Sequence, residues 1–349
     1  MDTRPVRPSG IMPAIETMTD PSQAYRGAKV LVTGGLGFIG SNVAIRLAGA
    51  GARVTVVDSL DPTCGGNMFN IDPVVDEIDV RIGDVRDPTL MRDVLRGQQY
   101  VFNLAGHISH IQSMDDPFND LELNCRSTLA LLEACRYVNR DARLVFASTR
   151  QTYGRVDELP VSEDALLRPV DVNGVNKMAA EWFHLVYNSV HGIRSLSLRL
   201  VNTFGPRQLL RHARQGFIGW FVRLAVDGDE ISVFGDGTQI RDINYIDDVV
   251  DALLVAGAND DLMGGIFNLG SPRPVSLEEF VRALVRVSGN GSYKLVPFPD
   301  DRKSIDVGSF YTDYSRFREA TGWEPKVELE EGLARTLEYY RQNRERYWD

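Results

Sequence analysis

The sequence predicts an α/β fold, a doubly wound parallel sheet with a second, smaller α/β unit. Three observations carry this reading. Six short apolar runs alternate with amphipathic stretches between residues 29 and 202. Short apolar runs between amphipathic helices suit strands covered on both faces. A glycine-rich segment separates the first run from the first helical stretch. Beyond residue 205 the alternation weakens, marking a smaller unit that shares segments with the first.

Taken in order, residues 1–27 carry Pro5, Pro8, Pro13 and Pro21 with scattered charges and no apolar h-region. They read as a flexible N-terminal extension rather than a signal peptide. Lys29-Val30-Leu31-Val32-Thr33 is the first strand, and residues 38–50 are a helix. The later runs are 53–57, ending in Asp58, and 80–82, ending in Gly83-Asp84. Then come 100–104, ending in Ala105-Gly106; 143–146, ending in Ala147-Ser148-Thr149; and 195–200, ending in Val201-Asn202. Further on, 217–226 reads as a helix and 231–234 as a strand before the turn Gly235-Asp236-Gly237. Ser276-Leu277-Glu278-Glu279 is a capping box opening a helix through Val287. Leu333, Leu337 and Tyr340 mark a last helix. The large unit is expected over 28–204, with 238–258 returning to it, and the substrate-binding unit over 205–237 and 259–349.

Two helical stretches are unusually apolar. Cys125, Leu129, Leu132 and Cys135 recur at helical spacing in one. Met178, Trp182, Val186 and Val190 repeat every four residues in the other, beside Ala179, Phe183 and Tyr187. Such faces pack on a sheet or form a subunit interface.

Composition limits the function. Of 349 residues, 43% are hydrophobic, enough for a sizeable core, and 38 basic against 48 acidic residues give a net charge of −10. That balance disfavours general nucleic-acid binding. No apolar run approaches the roughly 20 residues that span a bilayer, so no membrane association is expected. Cys64, Cys125 and Cys135 are sparse and odd in number, which favours a reducing cytoplasm. None has metal-site spacing, and no metal is expected.

The segment Thr33-Gly34-Gly35-Leu36-Gly37-Phe38-Ile39-Gly40 lies between strand and helix. Its glycines allow a tight turn and a close approach to a pyrophosphate, while the helix N-terminus supplies free N–H groups. Asp58 ends the second strand, where a carboxylate suits the ribose hydroxyls of NAD and repels the 2′-phosphate of NADP. Further along, Thr149 ends the fifth strand at the carboxyl edge, and Lys177 opens the helix with the apolar double stripe. A lysine near a nicotinamide can anchor its ribose, and a threonine can hydrogen-bond a substrate hydroxyl.

Together these residues resemble the extended short-chain dehydrogenase/reductases, specifically the NAD-dependent nucleotide-sugar epimerases and dehydratases. The resemblance covers about residues 28–342 and rests on motifs in order. They are the glycine segment, Gly83-Asp84-Val85-Arg86-Asp87, Asn103-Leu104-Ala105-Gly106, Ser148-Thr149 with Tyr153-Gly154, and Asn176-Lys177 with Glu181. Arg199, Asn202, Gly205-Pro206-Arg207, Phe234-Gly235-Asp236-Gly237, Arg241-Asp242 and Tyr245-Ile246-Asp247-Asp248-Val249 complete the set. The resemblance implies a Rossmann unit whose Gly34, Gly37, Phe38, Ile39 and Gly40 cradle NAD. Asp84 and Val85 would hold the adenine, and Leu104, Ala105 and Gly106 would line the cleft. Lys177 would bind the nicotinamide ribose and Thr149 the sugar hydroxyl. Asn202 and Arg241 would bind the diphosphate of a nucleotide sugar, with a further contact at Arg302 and Asp306. It also implies a homodimer built from the helices near 121–138 and 174–190.

Two departures shape the expected chemistry. The family usually has a tyrosine four residues before the lysine, where this chain has Asn173, and a carboxamide does not titrate near neutral pH. Asn173 is then left to orient the ligand. The proton acceptor is open: His107 and His110 are candidates, Asp171 is expected to point elsewhere, and substrate or water could carry the proton. His107 is also a candidate substrate contact. Second, dehydrating members often carry Asp-Glu after the threonine, where this chain has Arg150-Gln151. The leading expectation is an epimerase working through a transient keto sugar. A dehydratase, decarboxylase or other oxidation-initiated enzyme is the alternative, and a catalytically silent NAD or sugar-nucleotide binder the non-enzyme one. Arg207, Arg211, His212 and Arg214 form a basic cluster that suits either phosphates or a solvated loop.

Overall fold

The structure is a computed structural model that describes residues 20–211, 216–299 and 306–348. Its main sheet takes the six expected strands, β1 (Lys29–Thr33), β2 (Arg53–Asp58), β3 (Asp79–Ile82), β4 (Tyr100–Asn103), β5 (Arg143–Thr149) and β6 (Ser195–Leu200). Next in the chain come β7 (Asn202–Phe204), β8 (Glu230–Phe234), β9 (Ile240–Arg241), β10 (Ile243–Tyr245) and β11 (Ile266–Asn268), then β12 (Val275–Ser276) and β13 (Ser292–Val296). The main sheet runs β11-β6-β5-β4-β1-β2-β3, and every pairing is parallel. The other strands form three small pairs, β10-β7, β12-β9 and β13-β8. β11 lies in a stretch expected in the smaller unit, yet it pairs with β6. Three residues flanked by Gly264-Gly265 and Gly270 are too short a run to announce a strand by pattern.

Alternate strand residues feed two cores. Val30, Val32, Phe102, Val145 and Leu198 face one core, and Leu31, Val101 and Leu144 the other. On the first side lie α1 (Phe38–Gly49) and, from the later chain, α8 (Ile246–Ala258). On the second lie α2 (Pro88–Val94), α5 (Ser127–Val138) and α6 (Val172–His191). The loop after β4 carries the short helices α3 (His110–Asp115) and α4 (Pro117–Asp120), then a wider helical turn over Leu121–Arg126 that leads into α5. The smaller unit uses α7 (Phe217–Asp227), α9 (Leu277–Ser288), α10 (Ser315–Thr321) and α11 (Leu329–Gln342). The capping box at Ser276 and Glu279 forms, and Leu333, Leu337 and Tyr340 are buried along α11.

Residues 20–25, expected within the N-terminal extension, pack on the sheet. Pro21–Tyr25 is a 3-10 turn capped by Asp20. Tyr25 is fully buried, donates to the Leu254 carbonyl at 2.7 Å and packs on Tyr100 and Phe102. An aromatic ring anchored in the core ties this stretch to the sheet. Residues 1–19 lie outside the described residues.

The strand order fixes where a ligand enters. From β1 the chain moves outward to β2 and β3, then returns to place β4 on the other side of β1. The loops leaving β1 and β4 therefore diverge, and the crevice between them at the carboxyl edge is a ligand site.

Candidate active site

The glycine segment turns from β1 into α1 inside that crevice. Gly34 has φ +69° and donates to the Val57 carbonyl at 2.8 Å. A Cβ on Gly34 would lie 2.9 Å from the Ala105 backbone, and one on Gly40 2.1 Å from the Gly34 carbonyl. Only bare backbone fits there. Gly37 caps α1 without a side-chain hydrogen bond, leaving the N–H groups of the first turn for an anion.

A cavity of about 420 Å³ follows. Its walls include Gly34, Gly37, Phe38, Ile39, Gly40, Asp58, Asp84, Val85, Leu104, Ala105 and Gly106. Residues that the sequence reading missed also line it: Ser59, Asp61, Gly65 and Gly66 after β2, with Gln208 and Leu209 from beyond β7. The only hint of them was the glycine pair in the loop after Asp58. Asp58 itself is buried, accepting from Leu36 N at 3.0 Å and Leu60 N at 2.8 Å. Burial raises its pKa, and these backbone bonds pull it back. Asp84 forms a 2.6 Å ion pair with Arg86 at the same rim. A backbone cradle for phosphates, a strand-end carboxylate and an apolar floor match the chemistry of a nicotinamide dinucleotide.

At the inner end, the Thr33 hydroxyl accepts from Leu104 N at 3.1 Å and Ala105 N at 3.2 Å, and donates toward Asn103 Oδ1 at 3.1 Å. Lys177 lies just behind the cavity wall. A Cβ on Gly106 would be 3.0 Å from its Nζ. The ammonium sits over the Phe146 ring and 3.4 Å from the Ala147 carbonyl. Burial pushes its pKa down to about 8, against the pull of Asp120. Thr149 ends β5, and its hydroxyl accepts from Gln151 N at 3.2 Å.

Asn173 and His107 both join the loop after β4. Asn173 is buried and donates from Nδ2 to the His107 carbonyl at 2.7 Å and to Asp120 at 2.9 Å. It braces the loop after β4. His107 is also buried, with its ring between Asp120 and Gln112. Asp120 gathers both, together with Asn176 at 2.8 Å. Burial works against this carboxylate, yet the bonds from His107, Asn173 and Asn176 hold its pKa below the ordinary value. Asp171 was expected to point elsewhere. It caps α6, accepting from Gly174 N at 2.7 Å, while its second oxygen holds Nδ1 of His110. The far nitrogen of His110 meets the Gln151 amide.

On the other side of Thr149, Asn202 donates to the Asp242 carbonyl at 3.2 Å. Arg241 is buried and held by the Ile240 and Gly308 carbonyls and Gln239. Burial, then the nearby Arg150 guanidinium, lowers its pKa to about 10. Arg150 lies over the Phe310 ring at 5.1 Å. Two cations thus share one wall, which favours an anionic ligand. Asp306 lies 4.0 Å from Arg241. Arg302, His212 and Arg214 fall outside the described residues. Arg207, expected in a cluster for phosphates or a solvated loop, is held by the protein itself. Its guanidinium donates to the Asn70 carbonyl at 2.9 Å and to Asn42 Oδ1 at 3.0 Å, over the Tyr339 ring. It fastens the start of the smaller unit to the large one. Arg211 is exposed.

Known proteins share this fold. Residues 30–270 match the model of the NAD dependent epimerase/dehydratase family. A putative UDP-glucose 4-epimerase of Methanocaldococcus jannaschii is 30% identical over 320 residues, covering 90% of this chain and 99% of its own. The solved UDP-glucose 4-epimerase of Thermotoga maritima, with UDP-glucose, superposes with a TM-score of 0.80 at 32% identity, over 90% of this chain and 99% of its own. The dTDP-glucose 4,6-dehydratase of Streptomyces venezuelae, with NAD bound, gives 0.82 at 27% identity, over 92% and 99%. With a cleft built for NAD and relatives aligned over nearly their whole length, the chain belongs to the NAD-dependent epimerase/dehydratase family of nucleotide-sugar enzymes.

Proposed function

We propose that the chain is a nucleotide-sugar epimerase that works through a transient keto sugar. The observation that carries this reading is Arg150-Gln151 directly after Thr149 at the end of β5. Neither side chain moves a proton near neutral pH. The strand end therefore offers a hydroxyl to hold the sugar and no adjacent acid–base pair to expel water from it. Epimerisation needs the fewest further groups: one carbon is oxidised, the keto sugar rotates, and the hydride returns to its other face.

When bound, NAD supplies a reversible hydride acceptor. Thr149 holds the reacting hydroxyl, Lys177 holds the nicotinamide ribose, and Asn202 and Arg241 bind the diphosphate. Asn173 keeps the loop after β4 in place beneath them. The epimerases among the relatives, one of them holding UDP-glucose, support this reading. The three cysteines are free, which suits a reducing cytoplasm.

The protein acts as a homodimer in this proposal. Val175, Trp182, Val186 and Val190 form an exposed stripe along α6, and Tyr137 on α5 is 66% exposed. Such a surface fits a second copy of the same helices.

Incubation with UDP-glucose, UDP-glucuronic acid and dTDP-glucose tests the activity. The expected result is one epimerised sugar nucleotide, with transient nicotinamide absorbance during turnover. A 4-keto-6-deoxy product would replace the epimerase reading with a dehydratase. Binding without product from any of the three would remove it.

A further inference from the structure

Oxidising a sugar hydroxyl releases a proton, and the groups around Thr149 can be compared as acceptors. Arg150 stays cationic. Gln151 and Asn173 do not titrate near neutral pH. His107 is buried with its ring between Asp120 and Gln112. Lys177 is 5% exposed, behind Gly106 and over Phe146. His110 differs from all of these, since its side chain is 32% exposed and one residue contact from Thr149. Its far nitrogen meets the Gln151 side chain, and the Gln151 backbone N–H binds Thr149 Oγ1.

We propose that His110, oriented by Asp171, is the proton acceptor of the reaction. The assignment rests on the epimerase reading above. Asp171 holds Nδ1 of His110 with one oxygen, while its other oxygen is fixed by Gly174 N. The carboxylate thereby sets the tautomer with hydrogen on Nδ1, leaving the lone pair on Nε2. That is the logic of a base oriented by a third group. In the resting state the Gln151 amide donates to that lone pair. Its Oε1 is a buried acceptor with no partner. The amide swings off Nε2 when a substrate hydroxyl takes its place there, and its unpartnered oxygen is then free to accept a hydrogen bond.

The step balances. The carbinol C–H leaves as hydride to NAD, its O–H proton goes to Nε2 of His110, and the C–O bond becomes C=O. On return, hydride adds to the other face and the imidazolium gives its proton back to oxygen. The charged groups of the surrounding elements are Asp171 at the cap of α6, Arg150 near Asp171, and the buried Asp120 and Lys177.

The test compares wild type with H110Q, D171N and H110A, using whichever of UDP-glucose, UDP-glucuronic acid and dTDP-glucose the wild type oxidises. Expected are a fall of about 100-fold or more in single-turnover nicotinamide reduction for H110Q and loss of the acidic limb of its pH profile. Added imidazole should restore part of the rate in H110A. Separately from turnover, ¹⁵N-histidine NMR should report hydrogen on Nδ1 of His110 in the wild type and a mixed tautomer in D171N. That variant keeps an oxygen to cap Gly174, so it carries the test if H110Q does not fold. Wild-type oxidation with unchanged rate and pH profile in H110Q would overturn the assignment and leave the epimerase reading standing. No oxidation by wild type of any of the three would overturn both.

Discussion

Asn173 gives both amide hydrogens to groups on the loop after β4, the His107 carbonyl and Asp120. A tyrosine at this buried position is larger and lacks the amide that makes both bonds. Asn173→Tyr is therefore expected to lower stability by about 2–4 kcal/mol, from overpacking and from the bond lost at buried Asp120. Urea unfolding followed by fluorescence measures this, and a stability equal to wild type would show room that the packing denies. The sequence made Asn173 conspicuous but could not show which way it faced. Its two partners lie 66 and 53 residues away. Asp171 illustrates the same limit. An aspartate three residues before Gly174 reads as a helix cap, and it is one, but its contact with His110 spans 61 residues.

At the scale of the element, α6 is built inside out. Its inward face carries Asn173, Asn176, Lys177, Glu181 and His184, while Trp182, Val186 and Val190 look outward. The buried polar groups need partners, and most have them. Glu181 binds Arg199 in a fully buried ion pair supported by Tyr153, whose hydroxyl donates to Asn268. His184 stacks on Phe146, and burial pushes its pKa down to about 3, so it stays neutral across the physiological range. The four-residue repeat was legible in the sequence because apolar side chains recur by geometry. The polar face was not, since its partners come from other elements. If the outward stripe meets a second copy, Trp182→Glu with Val186→Glu should halve the mass seen by analytical ultracentrifugation while leaving the circular dichroism spectrum intact. An unchanged mass would place the interface elsewhere.

For the whole molecule, the parallel sheet was legible because six of its seven strands are short apolar runs, most of them ending at a candidate site residue. The smaller unit was less so. β7, β9, β10 and β12 have two or three residues each, too few for a pattern. One charge inside the large unit has a global readout. The Lys177 pKa falls from 10.5 unfolded to about 8 folded. Between these values the unfolded chain binds the extra proton, so this residue makes stability rise with pH across that window. At lower pH its buried charge opposes folding, by roughly 3 kcal/mol. Lys177→Met should flatten the rise from pH 8 to 10 in chemical unfolding; an identical slope in both proteins would assign it to other groups.

The Thr33 hydroxyl, receiving two amides from the loop that leaves β4, has a mechanical consequence. It acts as a rivet between the lips of the nucleotide groove, setting their gap before anything arrives to fill it. Thr33→Val keeps the shape and removes the rivet. Looser lips should weaken dinucleotide affinity through lost preorganisation, chiefly by faster release.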